Sequence, residues 1–216
     1  MTLLEESLGL DEYLRELREG FQIEEEPTLE FKLTSTTLKG LLKDQRLLKR
    51  VLELLAHDIH FVREQAANLF KNEVVLWRDP DGCFSLRMSI WTGEFDSFIH
   101  DHNAIGVTGC WLGKILVENY EIKEWISEER VKLELKEKLT LNKNDTTFVR
   151  PQDSGIHRVD RAEGDFAISL SAYGRPLPRG YIRKFDPATG EISKIYPPAR
   201  AQKSWAQKLL EIIDKG

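Results

Sequence analysis

The chain has 216 residues, 31% of them charged, and a formal net charge of −5. That length suits one domain with a sizeable core and room for an appendage, and the mild acidity gives no reason to expect nucleic-acid binding. No apolar run approaches the ~20 residues of a membrane helix, and acidic rather than basic residues follow Met1, so a cytoplasmic protein is expected.

From Thr2 to about Asn72 apolar residues recur at helical spacing. Leu10, Tyr13, Leu14 and Leu17 form a first stripe with Gly20 placed to stop it, and a charged link from Glu24 to Pro27 follows. Ser35, Thr36 or Thr37 is placed to cap a second helix that carries Leu38, Leu41, Leu42, Leu47, Leu48, Val51, Leu52 and Leu55. Another helix is expected over Ile59 to Phe70. His57 and His60 lie nearby, three residues apart; with no third ligand at hand they read as a solvated or hydrogen-bonded pair.

After Asn72 the texture changes. Short runs rich in Val, Ile, Phe, Trp and Thr alternate with turns: VVLW, CFSLRMSIW, GVTGCWL, KILVENYEI, VKLELKEKLTL, TTFVR, DFAISLSAY, YIRKF and EISKIY. Asp79 to Gly82 and Asp186 to Gly190 carry hairpin-turn chemistry. So many short strands predict an antiparallel sandwich or barrel. A closing helix is expected from about Ala201 to Lys215, with Trp205, Leu209, Ile212 and Ile213 on its inner side. The expected organisation is therefore a helical appendage over residues 1–72 packed on a barrel over 73–200, followed by a C-terminal helix over 201–216. Cys83 and Cys110 form no C-x-x-C pair and read as reduced, small buried residues.

Within the strand region, Trp91 to Gly113 holds two of the five histidines, His100 and His102, one residue apart. Phe95 to Ile99 before them and Ile105 to Leu112 after them read as strand, and strand side chains alternate faces. His100 and His102 then share a face while Asp101 points the other way. Two imidazoles so placed can reach one ion, and imidazole suits iron, zinc, copper and nickel; the plain alternative is two unrelated surface histidines. His157 is the only other histidine of this region and follows the Pro151–Gly155 turn, just before a strand, so it is the candidate third ligand. Its alternative is a histidine hydrogen-bonded in a turn.

Gly93, His100-x-His102 and Gly113, followed by Pro151 through Gly155 to His157, resemble the two motifs of the cupin superfamily. DPDGCFSL, W-x-G, IHDH, SGIHRV and AISLSAYGRP further resemble the cysteine dioxygenase family of thiol dioxygenases, across about residues 72 to 190. The resemblance implies a mainly β fold, a double-stranded β-helix (jelly-roll barrel), holding a mononuclear Fe(II) through His100, His102 and His157. The glutamate that general cupins place soon after H-x-H is missing from Asn103-Ala104-Ile105-Gly106-Val107, which favours three histidines. Three neutral imidazoles leave the metal charge to be met from outside, and a thiolate meets it naturally. Gly106 or Val107 stands where the animal enzymes carry a cysteine cross-linked to a tyrosine, so no cross-link is expected.

The family's Ser-x-His-x-Tyr run reads Ser169-Leu170-Ser171-Ala172-Tyr173 here, with Ser171 replacing the histidine. Alternation puts those three hydroxyls on one face. Tyr173 is expected to orient oxygen or substrate, or else to be a packed aromatic, and Ser169 to hold its neighbourhood. Arg78 is the candidate for the family's carboxylate-binding arginine, although alignment on Asp79-Pro80 puts Glu73 at that position and a surface arginine is the plain alternative. An Arg78 facing the iron would favour cysteine-like thiols; a solvent-facing Arg78 with Glu73 on the wall would favour a neutral or cationic thiol, or a non-thiol. The expected activity is oxidation of a small thiol to its sulfinate by O2, with neither nucleic acid nor membrane as partner. The rivals are a cupin metalloenzyme acting on a non-thiol and a non-catalytic metal- or ligand-binding cupin.

Overall fold

The computed structural model describes residues 9–22, 27–94 and 97–213. Among the described residues four helices precede the strands: α1 (Asp11–Gln22), α2 (Pro27–Lys43), α3 (Gln45–His57) and α4 (Ile59–Glu64). A single turn of 3-10 helix, Gln65–Ala67, ends the last of them, short of the expected Phe70. Residues 24–26 of the expected link lie outside the described residues, and Pro27 opens α2, where its missing N–H costs nothing.

Two helix boundaries differ from the expected ones. Ser35, Thr36 and Thr37 lie inside α2, where Thr36 Oγ1 donates back to the Lys32 carbonyl at 2.8 Å instead of capping. The cap falls later, at Asp44, whose carboxylate accepts from the amides of Arg46 and Leu47 and so divides one apolar stripe between α2 and α3. Gly20 does not stop α1 either. It is buried within the helix, and a Cβ there would stand 2.7 Å from Thr34 Oγ1, so its role is the close approach of α1 and α2.

Eleven strands follow among the described residues: β1 (Glu73–Arg78), β2 (Phe84–Thr92), β3 (Ile99–His100), β4 (Gly106–Leu112), β5 (Ile115–Ser127), β6 (Arg130–Leu141), β7 (Thr146–Val149), β8 (Ile156–Arg161), β9 (Phe166–Gly174), β10 (Ile182–Phe185) and β11 (Ile192–Ile195). They form two antiparallel sheets, in orders β1-β2-β9-β4-β7 and β11-β10-β3-β8-β5-β6. Taken alone, β2 to β9 alternate as 2-9-4-7 and 3-8-5-6, the strand order of an eight-stranded jelly roll. The fold is thus the mainly β, double-stranded β-helix expected, with helices before it and α5 (Pro198–Ile213) after it.

Strand alternation divides the first sheet into two unlike faces. Leu86 and Met88 of β2, Leu170 and Ala172 of β9, and Val107 and Trp111 of β4 face the helices and share one core with Leu17, Leu38, Leu41, Leu42 and Val51. Each such side chain contributes about 1.5–3 kcal/mol when fully buried. Gly109 lets α2 sit down on the sheet, since a Cβ there would meet Leu42 Cδ1 at 2.4 Å. The opposite face, carrying Ser89, Ser169, Ser171, Thr108 and Tyr173, lines the barrel interior. At its floor Trp91 and Val159 belong to an apolar cluster with Cys110, Ile115 and Val117.

One irregularity in β1 matters for the site. Glu73 pairs with Ser89 and Arg78 with Ser85, although five residues separate the two and simple alternation would put them on opposite faces. A bulge between Val75 and Trp77 takes up the odd residue. In α5, Trp205 and Leu209 are exposed, so that helix does not turn them inward as its periodicity suggests. No helix among the described residues is long and apolar enough to cross a membrane.

Candidate metal centre

Strand β3 is only two residues long, and it brings the histidines together by pairing on both sides. His100 sits opposite His157 of β8 and opposite Lys184 of β10. Beyond β3 the chain leaves the strand, yet the expected alternation persists because backbone bonds hold it: Asp101 N donates to Arg183 O at 3.1 Å and Gln152 N to His102 O at 2.8 Å. Asp101 points away from the histidines and is fully buried. Its carboxylate receives both Nη atoms of Arg179 at 2.7 Å, and the backbone N and Nε of Arg183 at 2.7 and 2.6 Å. Arg183 also pairs with Asp153 in the turn before His157, so one buried carboxylate braces both arms of the site.

Facing inward, His100, His102 and His157 converge until one ligand atom from each lies within 4.8 Å of the others. His102 Nε2 and His157 Nε2 are 2.8 Å apart. At that separation one proton can bridge the two nitrogens, or the pair can hold one ion together with His100. His100 Nδ1 lies 3.0 Å from the Phe98 carbonyl, which fixes its N–H there and leaves Nε2 as the donor to the interior.

Electrostatics favour the neutral, ligating form of all three rings. Burial lowers the pKa of His100, against smaller opposing effects of the Phe98 carbonyl and Asp101. Burial, then the charges of His157, His100, Arg87 and Arg179, holds His102 well below the usual histidine range; burial and then His100 do the same for His157. The donor set and its neutrality fit a divalent transition ion of the kind imidazole binds.

The histidines open into a chamber of about 50 Å³, roofed by Phe70 and Phe98 and walled by serine, threonine and tyrosine hydroxyls. Tyr173 lies flat on His102, ring centroids 5.3 Å apart and planes at 17°. Its pKa is raised by burial and by Glu73, with Arg87, Ser171 and Thr108 opposing, so the phenol stays protonated at neutral pH. Ser171 and Thr108 bond each other at 2.9 Å. Ser169 is tied elsewhere: its Oγ accepts from Trp91 Nε1 at 2.9 Å, which fixes the chamber floor.

Gly106 pairs with Tyr173 across β4 and β9, and a Cβ there would stand 2.5 Å from the tyrosine Cδ1. No thiol stands at that position, and the ring occupies the space a side chain would need. Gly106→Ala should therefore push Tyr173 off His102 and lower stability by about 1–3 kcal/mol, as read by urea denaturation. An unchanged midpoint would mean that the ring is not seated there.

Arg78 does not line the chamber. It lines a second, outer cavity of about 680 Å³ that also reaches His102 and Tyr173. Glu73 lines both spaces, but its oxygens lie 3.1 and 3.0 Å from Nη1 of Arg87, whose guanidinium also stands 5.5 Å over the Tyr173 ring. Sequence reasoning missed Arg87, Arg179 and Arg183. Arg87 could have been found by parity, since it shares the inward face of β2 with Ser85 and Ser89.

No family model matches the chain, and no curated protein matches it. Solved structures do, at low identity. An RmlC-like cupin protein from Ralstonia eutropha is 11% identical over 70% of this chain and 80% of its own, with a TM-score of 0.36. An acetylacetone dioxygenase from Acinetobacter johnsonii is 14% identical over 62% and 76%, with a TM-score of 0.35. The structure of the DMSP lyases RdDddP and RnDddQII matches at 14% identity over 48% of this chain and 44% of that one, TM-score 0.33, so this chain spans less than half of that length. Likeness at this level carries no chemistry; the residues of the site have to do so.

Proposed function

We propose that the protein is a mononuclear non-haem Fe(II) dioxygenase that oxidises a small thiol to its sulfinate, with the metal held by His100, His102 and His157. The observation that supports this best is the donor set: three neutral, converging imidazoles with no carboxylate among them. Asp101 is turned away onto two arginines and Glu73 is engaged by Arg87. When bound, Fe(II) supplies open coordination for an anionic thiolate and redox access to O2.

The remaining work falls to the chain. Phe70 and Phe98, with ring centroids 5.8 Å apart, shield the histidines from water. Tyr173 keeps its proton and donates a hydrogen bond towards oxygen or sulfur in the chamber, in an orientation set by His102 beneath it and Arg87 above. Ser171, in place of the family's histidine, and Thr108 bond each other beside that phenol and counter the burial that raises its pKa. Both atoms of one O2 go to one sulfur, RSH and O2 giving RSO2H, so no external reductant is consumed. Cys83 and Cys110 are free thiols, the state two cysteines keep in a reducing compartment.

Oxygen uptake by Fe(II)-loaded protein, measured with cysteine, cysteamine, 3-mercaptopropionate and 8-mercaptooctanoate, tests the reading. At least one thiol should consume one O2 per sulfinate formed, and Tyr173→Phe should lower kcat by about 10²-fold with KM little changed. Oxygen uptake that yields disulfide instead of sulfinate, or no uptake with any thiol, would remove it.

A further inference from the structure

The two cavities share Phe70, Glu73, His102 and Tyr173, so they are an inner chamber and an outer vestibule of one site. Their sizes differ greatly. The chamber, about 50 Å³, is on the scale of one or two waters at ~30 Å³ each. The vestibule, about 680 Å³, lies within the ~300–1,000 Å³ range of pockets that enclose drug-sized ligands. A free amino-acid thiol would leave most of it empty.

Charge is distributed along the same direction. At the junction, Glu73 and Arg87 neutralise each other, which leaves no spare cation beside the sulfur. The vestibule's other carboxylate, Asp79, is also engaged, by Arg18 and by the amides of Asp81 and Cys83 at 3.1 and 3.0 Å. Two cations remain on that wall, Arg78 from β1 and Arg200 from the first turn of α5; neither guanidinium makes an ion pair or hydrogen bond with a described residue, although Arg78 feels the charges of Glu73 and Arg87. The guanidinium of Arg200 lies against Gly180, where a Cβ would stand 1.5 Å from Nη1, so the glycine provides its seat. The vestibule wall also carries apolar Phe84, Pro176, Leu177 and Pro178, and Ser85 lies between Arg78 and Tyr173 in the sheet register.

We infer that the substrate is an elongated thiol with an anionic group at its far end: the sulfur enters the histidine chamber, an apolar stem crosses the vestibule, and the anion is received by Arg78 and Arg200. This rests on the thiol dioxygenase reading and narrows it. A carboxylate adjacent to the sulfur-bearing carbons, as in cysteine, would lie beside the neutralised Glu73–Arg87 pair and gain little. A carboxylate carried several methylenes further meets two cations without carboxylate partners, and charge-assisted hydrogen bonds to guanidinium are the strong ones.

The test compares 8-mercaptooctanoate with its primary amide, and 3-mercaptopropionate with its amide, by oxygen uptake on the Fe(II)-loaded full chain. The long acid should exceed its amide about tenfold in kcat/KM, while the short pair differ little, and in the double variant Arg78→Gln/Arg200→Gln the long pair should become equal. A short acid with the same advantage, or an advantage that survives in the double variant, overturns the inference. A second readout does not depend on metal or turnover: calorimetric binding of S-methylated 8-mercaptooctanoate to the metal-free protein. It should weaken about tenfold in the double variant. If no thiol is oxidised while that binding difference is found, the redox reading fails and the anion subsite stands; equal binding to wild type and variant removes the subsite.

Discussion

Asp101→Ala is expected to lower folding stability by about 3–5 kcal/mol, the range for breaking one side of a buried ion pair. The carboxylate is fully buried, and Arg179 and Arg183 beside it are only 13% and 12% exposed. Removing it leaves the Arg179 guanidinium without a carboxylate and Arg183 with only the half-exposed Asp153, both with little water to turn to. A typical domain is stable by only ~5–15 kcal/mol, so the variant should unfold at a much lower urea concentration. The damage should also reach the histidines, because Asp101 lies between His100 and His102 in the chain and is linked through Arg183 to the turn before His157. Metal affinity should also fall in whatever fraction remains folded, because the segment that carries His100 and His102 and the turn before His157 lose their common brace. A loss below about 1 kcal/mol, the scale of a surface ion pair, would show that the network does not brace the site.

The second large effect is expected from His157→Ala. The wild-type chain should bind ~1 ferrous ion, and at a free metal concentration a hundred times Kd this should add about 2.7 kcal/mol of stability. The variant should bind almost none and gain no metal-dependent stabilisation. A pair of histidines merely hydrogen-bonded to each other, which the 2.8 Å contact with His102 also permits, makes the opposite forecast: the metal-free variant would lose stability, and added metal would change neither protein. Metal analysis and thermal melts with and without Fe(II) separate the two.

Much of this arrangement was legible in the chain because it rests on strand parity. His100 and His102 share a side and Asp101 takes the other; Ser169, Ser171 and Tyr173 share the interior face; Gly106 leaves no thiol beside the tyrosine. What parity could not show depends on contacts distant in sequence. The β1 bulge turns Arg78 onto the face of Glu73, which no local pattern announces. Asp101 faces away from the metal side, but only the fold shows that Arg179 and Arg183, some eighty positions on, are there to meet it. Among the helices, a continuous apolar stripe concealed the break at Asp44, and Gly20 looked like a stop because helix contact and helix termination call for the same residue. The stripe of α5 has the spacing of a buried face, yet Trp205 and Leu209 stand in solvent.

The most direct test of a single metal-dependent site that joins O2 to sulfur is isotopic. Fe(II)-loaded protein would be mixed with a turned-over thiol under ¹⁸O₂ in ordinary water, and the product examined by mass spectrometry. Incorporation of both labelled atoms into one sulfinate, abolished in His157→Ala, is the expected result. One label or none in the product, or equal incorporation by the variant, would contradict it.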